Sequence, residues 1–236
     1  GILGKPILLT VYVDDMIMSG PGHKSEWPKV RALVKTTNPV PISRVLSVNF
    51  TLEKIDQFQT KVTMDMTKYC EQTVQQYLEI PNAMPLKPKV TVPWYEPSPE
   101  EVVRINSSES ESTIFGNCAS SLLMRALYMA RMVRLDCVYT INHLAKFATK
   151  WNSLCDKQLC HLFSYLQNSK ATLLVGTIVK RDFGSLRIEA YPDADLAGNF
   201  ATSKSTSGGF LALTGPNGTF MPLEWFSKRQ TATSHS

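Results

Sequence analysis

Apolar residues follow two periods along this chain of 236 residues. Near the start, the largely apolar run Ile7 to Val13, rich in Leu and β-branched residues, predicts a buried strand. Asp14-Asp15 then reads as a hairpin turn before a second strand, Met16 to Met18, which Gly20-Pro21-Gly22 ends. Lys24 to Lys35 has helical spacing at Val30, Leu33 and Val34, with Pro28 expected in the first turn or before it because a proline further in removes a backbone bond. VLSVNFTLEKI and QTKVTMDM read as two strands meeting near Asp56 to Gln59. MTKYCEQTVQQYLEI reads as an amphipathic helix with Tyr69, Val74, Tyr77, Leu78 and Ile80 on its apolar side.

From Pro81 the composition shifts to Pro, Ser and Glu, which predicts an extended, exposed connector that orders only against its neighbours. Helical periodicity returns from about Asn117 to Leu135, Val138 to Lys150 and Cys155 to Asn168. Leu122, Leu123, Leu127, Val133, Ile141, Leu144, Phe147, Leu159, Leu162, Phe163 and Leu166 are the expected core of that cluster. After Ser169 the period changes to that of strands in ATLLVGTIV, SLRIEAYPDAD, STSGGFLALTG and MPLEWFSK, which predicts a β-meander. The fold class is therefore α+β, divided at 1–80, 81–112, 113–169 and 170–236.

Composition narrows the picture modestly. With 43% hydrophobic residues the chain can bury a core, and a net charge of +5 permits a phosphate-rich partner without demanding one. The five cysteines lack paired C-x-x-C spacing, so free thiols in a reducing compartment are expected, and the adjacent Cys160 and His161 read as packing residues, not metal ligands. No apolar stretch is long enough to span a bilayer, so no membrane partner is expected. The beginning GILGKPILLTVYV and the end TATSHS both look cut.

Two acidic constellations could carry chemistry. In Tyr12-Val13-Asp14-Asp15, adjacent carboxylates sit at the tip of a strand-turn-strand, where rigid anionic oxygens could hold the Mg²⁺ ions of nucleotidyl transfer. A solvated Asp-Asp turn is the plainer account of those residues alone. In Tyr191-Pro192-Asp193-Ala194-Asp195, carboxylates follow a strand, as two-metal nuclease chemistry requires, although an acidic loop would look the same. Trp27, Trp94, Trp151 and Trp225 read as packing residues in preference to base-stacking platforms.

The order of the parts adds what the single motifs lack. YVDD, ALYMARMVRLDCVYTINHLAKF, Ala190 to Gly198, Lys204 to Gly208 and Trp225 to Gln230 stand in the same sequence order as YxDD, LMYLA-x-x-TRPDI-x-x-AV-x-x-LA-x-F, GYxDADWAG, KSTSG and WSSKKQ. Together they resemble the reverse-transcriptase to RNase H region of copia-type retrotransposon Pol polyproteins, of the Pseudoviridae kind. The resemblance covers nearly the whole chain and is weakest in the connector. It implies the C-terminal part of a reverse-transcriptase palm, a helical thumb-like cluster and a truncated RNase H-like β-sheet.

By the same resemblance, Asp14 and Asp15 would bind the polymerase metals and Asp193 the first RNase H metal, Mg²⁺ or Mn²⁺, with Asp195 ranked lower. Tyr12 and Val13 would lie beside the primer terminus, and Arg44 would open a primer-gripping turn. Lys146 and Lys150, with Lys157, Lys170, Lys180 and Arg181, would face phosphates of the primer-template. The implied partners are an RNA template and DNA primer, the RNA–DNA hybrid, dNTP and the remainder of the polyprotein. The implied setting is intracellular, a cytoplasmic virus-like particle and the nucleus. Ser47, Leu135 and Leu196 depart from the family pattern, and Ser47 replaces a Gly that normally supplies unusual backbone angles. A further upstream Asp for the polymerase and a Glu on a later helix for RNase H are not found, so this stretch alone is expected to be inactive. The alternative is a non-catalytic remnant or domesticated nucleic-acid-binding module.

Overall fold

The structure is a computed structural model that describes residues 6–13, 15–107, 112–194 and 205–230. It is a mixed α+β chain with two compact units, residues 1–50 and 51–236. In the first unit, β1 (Leu8–Tyr12) and β2 (Asp15–Ser19) form a two-stranded antiparallel sheet. α1 (His23–Leu33) follows, and then β3 (Arg44–Val45) turns tightly into β4 (Val48–Lys54). The boundary between the units falls inside β4.

Three expectations for this unit need correction. Every residue of β1 is exposed, where a buried strand was expected, and β1 lies in a two-stranded sheet with β2. The hairpin connection lies one residue earlier than Asp14-Asp15, since Tyr12 pairs with Asp15 and Asp15 already belongs to β2. Pro28 lies within α1, beyond its first turn, and no residue of α1 is buried: of the expected apolar side, Val30 is half-buried and Leu33 exposed. Leu33 is 86% exposed.

The second unit carries the core. β5 (Gln59–Asp65) precedes α2 (Thr67–Leu78), α3 (Pro99–Ser107), α4 (Ala119–Met132), α5 (Val138–Ala145) and α6 (Ser153–Asn168). β6 (Leu174–Val179), β7 (Arg187–Ala194), β8 (Thr206–Thr214) and β9 (Phe220–Arg229) complete it. From β4 the strand order is β4-β5-β6-β9-β8-β7. Only β7, β8 and β9 therefore form the expected meander, while β6 leaves it to pair with β5 over six residues and with β9 at Thr177 and Phe220.

Apolar stripes at three- and four-residue steps explain the helical cluster. Leu122, Leu123, Val133, Ile141, Leu144, Leu159, Leu162, Phe163 and Leu166 are all buried, while Leu127 and Phe147 are half-buried. Tyr77 of α2 lies between Phe115 and Phe163, with ring centroids 5.0 and 4.7 Å away. Polar contacts bind the cluster to the sheet. Trp225 on β9 donates its indole N–H to the Ala130 carbonyl at the end of α4 (2.7 Å), and Asn142 on α5 donates to the Ser227 carbonyl (2.7 Å).

The Pro-rich connector is fastened along α6. Its backbone at Met84, Pro85, Lys87, Lys89 and Val92 bonds to Cys160, His161, Ser164 and Asn168, which repeat along one stripe of the helix. The connector also contains a helix, α3, that its composition hid. A capping box opens α3: Ser98 Oγ accepts from the Glu101 amide (3.2 Å) while the Glu101 carboxylate accepts from the Ser98 amide (3.0 Å).

Candidate functional site

The YVDD segment is a hairpin tip. Tyr12 stands opposite Asp15 in the last pair of the β1–β2 ladder, so the connection is two residues long. Such short connections favour turns with positive φ at their first central residue, because that twist matches the flanking strands. Val13 holds φ at 50°, a conformation costly for a β-branched residue. Tyr12 and Val13 are 56% and 80% exposed, and Asp15 is exposed beside them. Asp14 lies outside the described residues.

A second strained turn stands where a primer-gripping turn was expected. Arg44 pairs with Asn49 and Val45 with Val48, leaving Leu46 and Ser47 as the turn. Their φ values are 50° and 65°, so Ser47 adopts the left-handed backbone although it is not glycine. The departure from Gly therefore preserves the hairpin and adds strain to it. Arg44 itself is exposed.

Asp193 lies on β7, an outer strand of the sheet, opposite Gly208 of β8. Side chains alternate along a strand, so Asp193 shares its face with Glu189 and Tyr191. The Tyr191 hydroxyl donates to Glu189 (2.6 Å), and Arg187 pairs with the same carboxylate (3.0 Å). Asp193 is exposed, and Asp195 lies outside the described residues.

The predicted basic residues divide into distinct groups. Lys157 is bound to Glu101 at 2.7 Å and Lys170 to Glu71 at 3.1 Å, so these two charges are already matched. Arg181 lies over the Phe58 ring, 3.9 Å from its centroid. Lys146, Lys150 and Lys180 are exposed. Lys146 and Lys150 flank the end of a stripe on which Tyr139, His143 and Phe147 pack, with Trp94 of the connector edge-on to Tyr139 and His143. Burial, followed by the nearby Lys146 charge, lowers the His143 imidazole to about 4, so it is neutral at ordinary pH.

The indole N–H groups of Trp151 and Trp225 are committed internally, to Asp156 and to the Ala130 carbonyl. All five cysteines are free thiols, and Cys160 and His161 each face backbone carbonyls. Burial pushes Cys70 and Cys155 up to about 11.

A shallow groove of about 500 Å³ on α2 is lined by Glu71, Gln72, Gln75, Gln76, Glu79 and Arg125, none of them among the expected site residues. Arg125 rests over the Tyr69 ring at 5.4 Å. Sequence reading also missed two buried carboxylates that hold backbone. Asp156 accepts from the amides of Ile114 (2.7 Å) and Phe115 (3.1 Å), and Asp182 accepts from Asn217 and Thr219. An acidic residue inside an otherwise apolar helical stripe is the signal that marks Asp156. Asp182 has no such signal, because its partners are 35 and 37 residues away.

Among the described residues, no three His, Cys, Asp or Glu side chains are grouped so as to hold a metal ion. The described residues thus do not by themselves make a two-metal set. Among the same residues, no helix is long and apolar enough to cross a membrane. Comparison of the chain with family models, curated proteins and solved structures gave no match.

Proposed function

We propose that the chain is the part of a copia-type retrotransposon Pol polyprotein running from the end of the reverse-transcriptase palm into the RNase H domain, where it engages RNA template, DNA primer and their hybrid. The observation that carries this reading is the YVDD hairpin. Tyr12 faces Asp15 across a two-residue connection with a strained Val13, which puts the Asp15 carboxylate at an exposed, short-looped tip. Metal-assisted nucleotidyl transfer uses carboxylates fixed in that manner.

Three further features support it. The motifs are collinear along the chain, and the antiparallel β7–β8–β9 meander carries Asp193 near the end of its first strand. The turn Leu46-Ser47 keeps a tight hairpin after Arg44, as a strand-gripping element needs. In this reading Asp14, Asp15 and Asp193 ligate Mg²⁺ or Mn²⁺ together with carboxylates from the rest of the polyprotein, which is also the partner that completes the dNTP site.

Filter binding of an RNA–DNA hybrid at rising salt, run beside a primer-extension assay, tests the proposal. The expected outcome is hybrid binding whose affinity falls steeply with salt, and no extension by these 236 residues alone. Absence of hybrid binding at low salt would sink the reading. Extension that vanishes with Asp14→Ala and Asp15→Ala would keep the reading of the family but overturn the expectation of inactivity.

A further inference from the structure

The turn between β8 and β9 is Gly215-Pro216-Asn217-Gly218, closed by the Gly218 amide donating to the Gly215 carbonyl at 3.1 Å. It contains the only Asn-Gly step in the sequence. Asp182, from the turn after β6, reaches into it and is itself fully buried. One carboxylate oxygen accepts from both the Asn217 amide N–H (2.9 Å) and the Asn217 side-chain amide (2.6 Å). The other accepts from the Thr219 N–H (3.0 Å). Gly215 leaves the room for this: a Cβ there would collide with the Asp182 carboxylate. The clamp extends inward, since Thr219 Oγ1 accepts from the Val179 amide at 2.8 Å and Phe220 makes the β6–β9 pair.

We propose that Asn217 is a site of spontaneous deamidation, gated by Asp182, whose conversion releases the β8–β9 turn. The backbone nitrogen of Gly218 loses its proton and attacks Cγ of Asn217. The new C–N bond closes a succinimide as the Cγ–Nδ2 bond breaks, and ammonia leaves with the proton. Water then opens the ring at either carbonyl, giving aspartate or isoaspartate. Glycine on the C-terminal side offers no side chain to hinder the attack.

In the closed turn both reacting groups are occupied, because Gly218 N–H is held by Gly215 and the Asn217 amide by Asp182. Reaction therefore belongs to the locally opened state. Burial opposes ionisation of Asp182, yet bonds from Thr219 and Asn217 outweigh it and hold its carboxyl at about 2. A carboxylate newly made at residue 217 then faces an ionised Asp182, having replaced a donor by a like charge.

The test incubates the full chain at mildly alkaline pH and follows amide-to-acid conversion at every asparagine by peptide mapping. Asn217 is expected to convert faster than the other asparagines, and several-fold faster in Asp182→Asn. Subdenaturing urea should accelerate the wild-type reaction in the same way, which keeps the test open if the variant does not fold. Asn217→Asp should lose hydrogen-exchange protection at Val179 and Thr219, whereas Asn217→Ser, which adds no charge, should lose less. Conversion at Asn217 no faster than elsewhere, no acceleration by opening the turn, or full protection in Asn217→Asp would each overturn the proposal.

Discussion

Arg134, only 1% exposed, meets the Asp136 carboxylate with its guanidinium at 2.7 Å and shares it with the Tyr165 hydroxyl at 2.6 Å. Arg134 also donates to the carbonyl and hydroxyl of Ser169, so one side chain ties the end of α4 to the end of α6. Burial opposes the charge on Arg134, but Asp136 outweighs it and raises the guanidinium further. Burial likewise opposes ionisation of Asp136, and Arg134 and Tyr165 hold its carboxyl below the ordinary 3.8. Arg134→Ala leaves a half-buried carboxylate with the Tyr165 hydroxyl but no cation, so we expect a loss of about 3 kcal/mol in chemical denaturation. Asp136 is lower in the folded chain than in the unfolded one, so its contribution is present above about pH 4 and disappears as pH falls through the folded value.

Leu46 and Ser47 give a prediction of opposite sign. Both hold positive φ in a two-residue turn, and each L-residue there costs roughly 1 kcal/mol that glycine does not. Ser47→Gly is therefore expected to stabilise the hairpin by about 1 kcal/mol, less the extra freedom glycine gives the unfolded chain. Ser47→Val should do the reverse, because a β-branched side chain tolerates that backbone least. Exchange protection of the Phe50 amide, which donates to the Ser43 carbonyl, reads the outcome locally. Unchanged protection in both variants would mean that the turn is not under strain.

Asn168 replaces a strand neighbour for the connector. Its carboxamide donates to the Lys87 carbonyl (3.0 Å) and accepts from the Lys89 amide (3.1 Å). Asn168→Ala removes both bonds, an expected cost of about 1 to 2 kcal/mol. Trypsin should then cut after Lys89 sooner than in the wild type, whereas Lys87 is protected in either case by the proline that follows it. Equal cleavage rates would show that the remaining contacts to Ser164 and His161 suffice.

Legibility in the sequence depended on whether a residue's partner was near in the chain. The stripe Leu159, Leu162, Phe163 and Leu166 was plain because helical burial repeats locally, and the last three strands were plain because turns bound them. The apolar run at β1 misled, since apolar content by itself reads as burial and the strand is exposed in a two-stranded hairpin. Helix α3 was missed although Ser98 and Glu101 carry the capping-box spacing, because the surrounding prolines and serines dominated the composition. The Arg134–Ser169 and Asp182–Thr219 bonds span 35 and 37 residues, and no periodicity encodes those. For the candidate site, the hairpin was legible and its register was off by one residue, which moved Asp15 from the turn to the strand.

The basic residues give the sharpest separation of the proposed nucleic-acid role from mere stability. Lys157 and Lys170 are matched by Glu101 and Glu71, whereas Lys150, exposed just beyond α5, is matched by no carboxylate among the described residues. A lysine that contacts phosphate adds about 0.9 to the slope of log affinity against log salt, or about 0.7 on a single strand. Lys146→Ala with Lys150→Ala is thus expected to flatten the slope for an RNA–DNA hybrid by nearly two, with little change in unfolding. Lys157→Ala should leave the slope alone and loosen α3, because Glu101 loses its partner across from α6. Binding titrations over a salt series, paired with thermal melts of the same variants, distinguish the two. A slope that changes with Lys157 and not with Lys146 and Lys150 would move the phosphate-facing surface to α6 and remove the thumb-like role from α5.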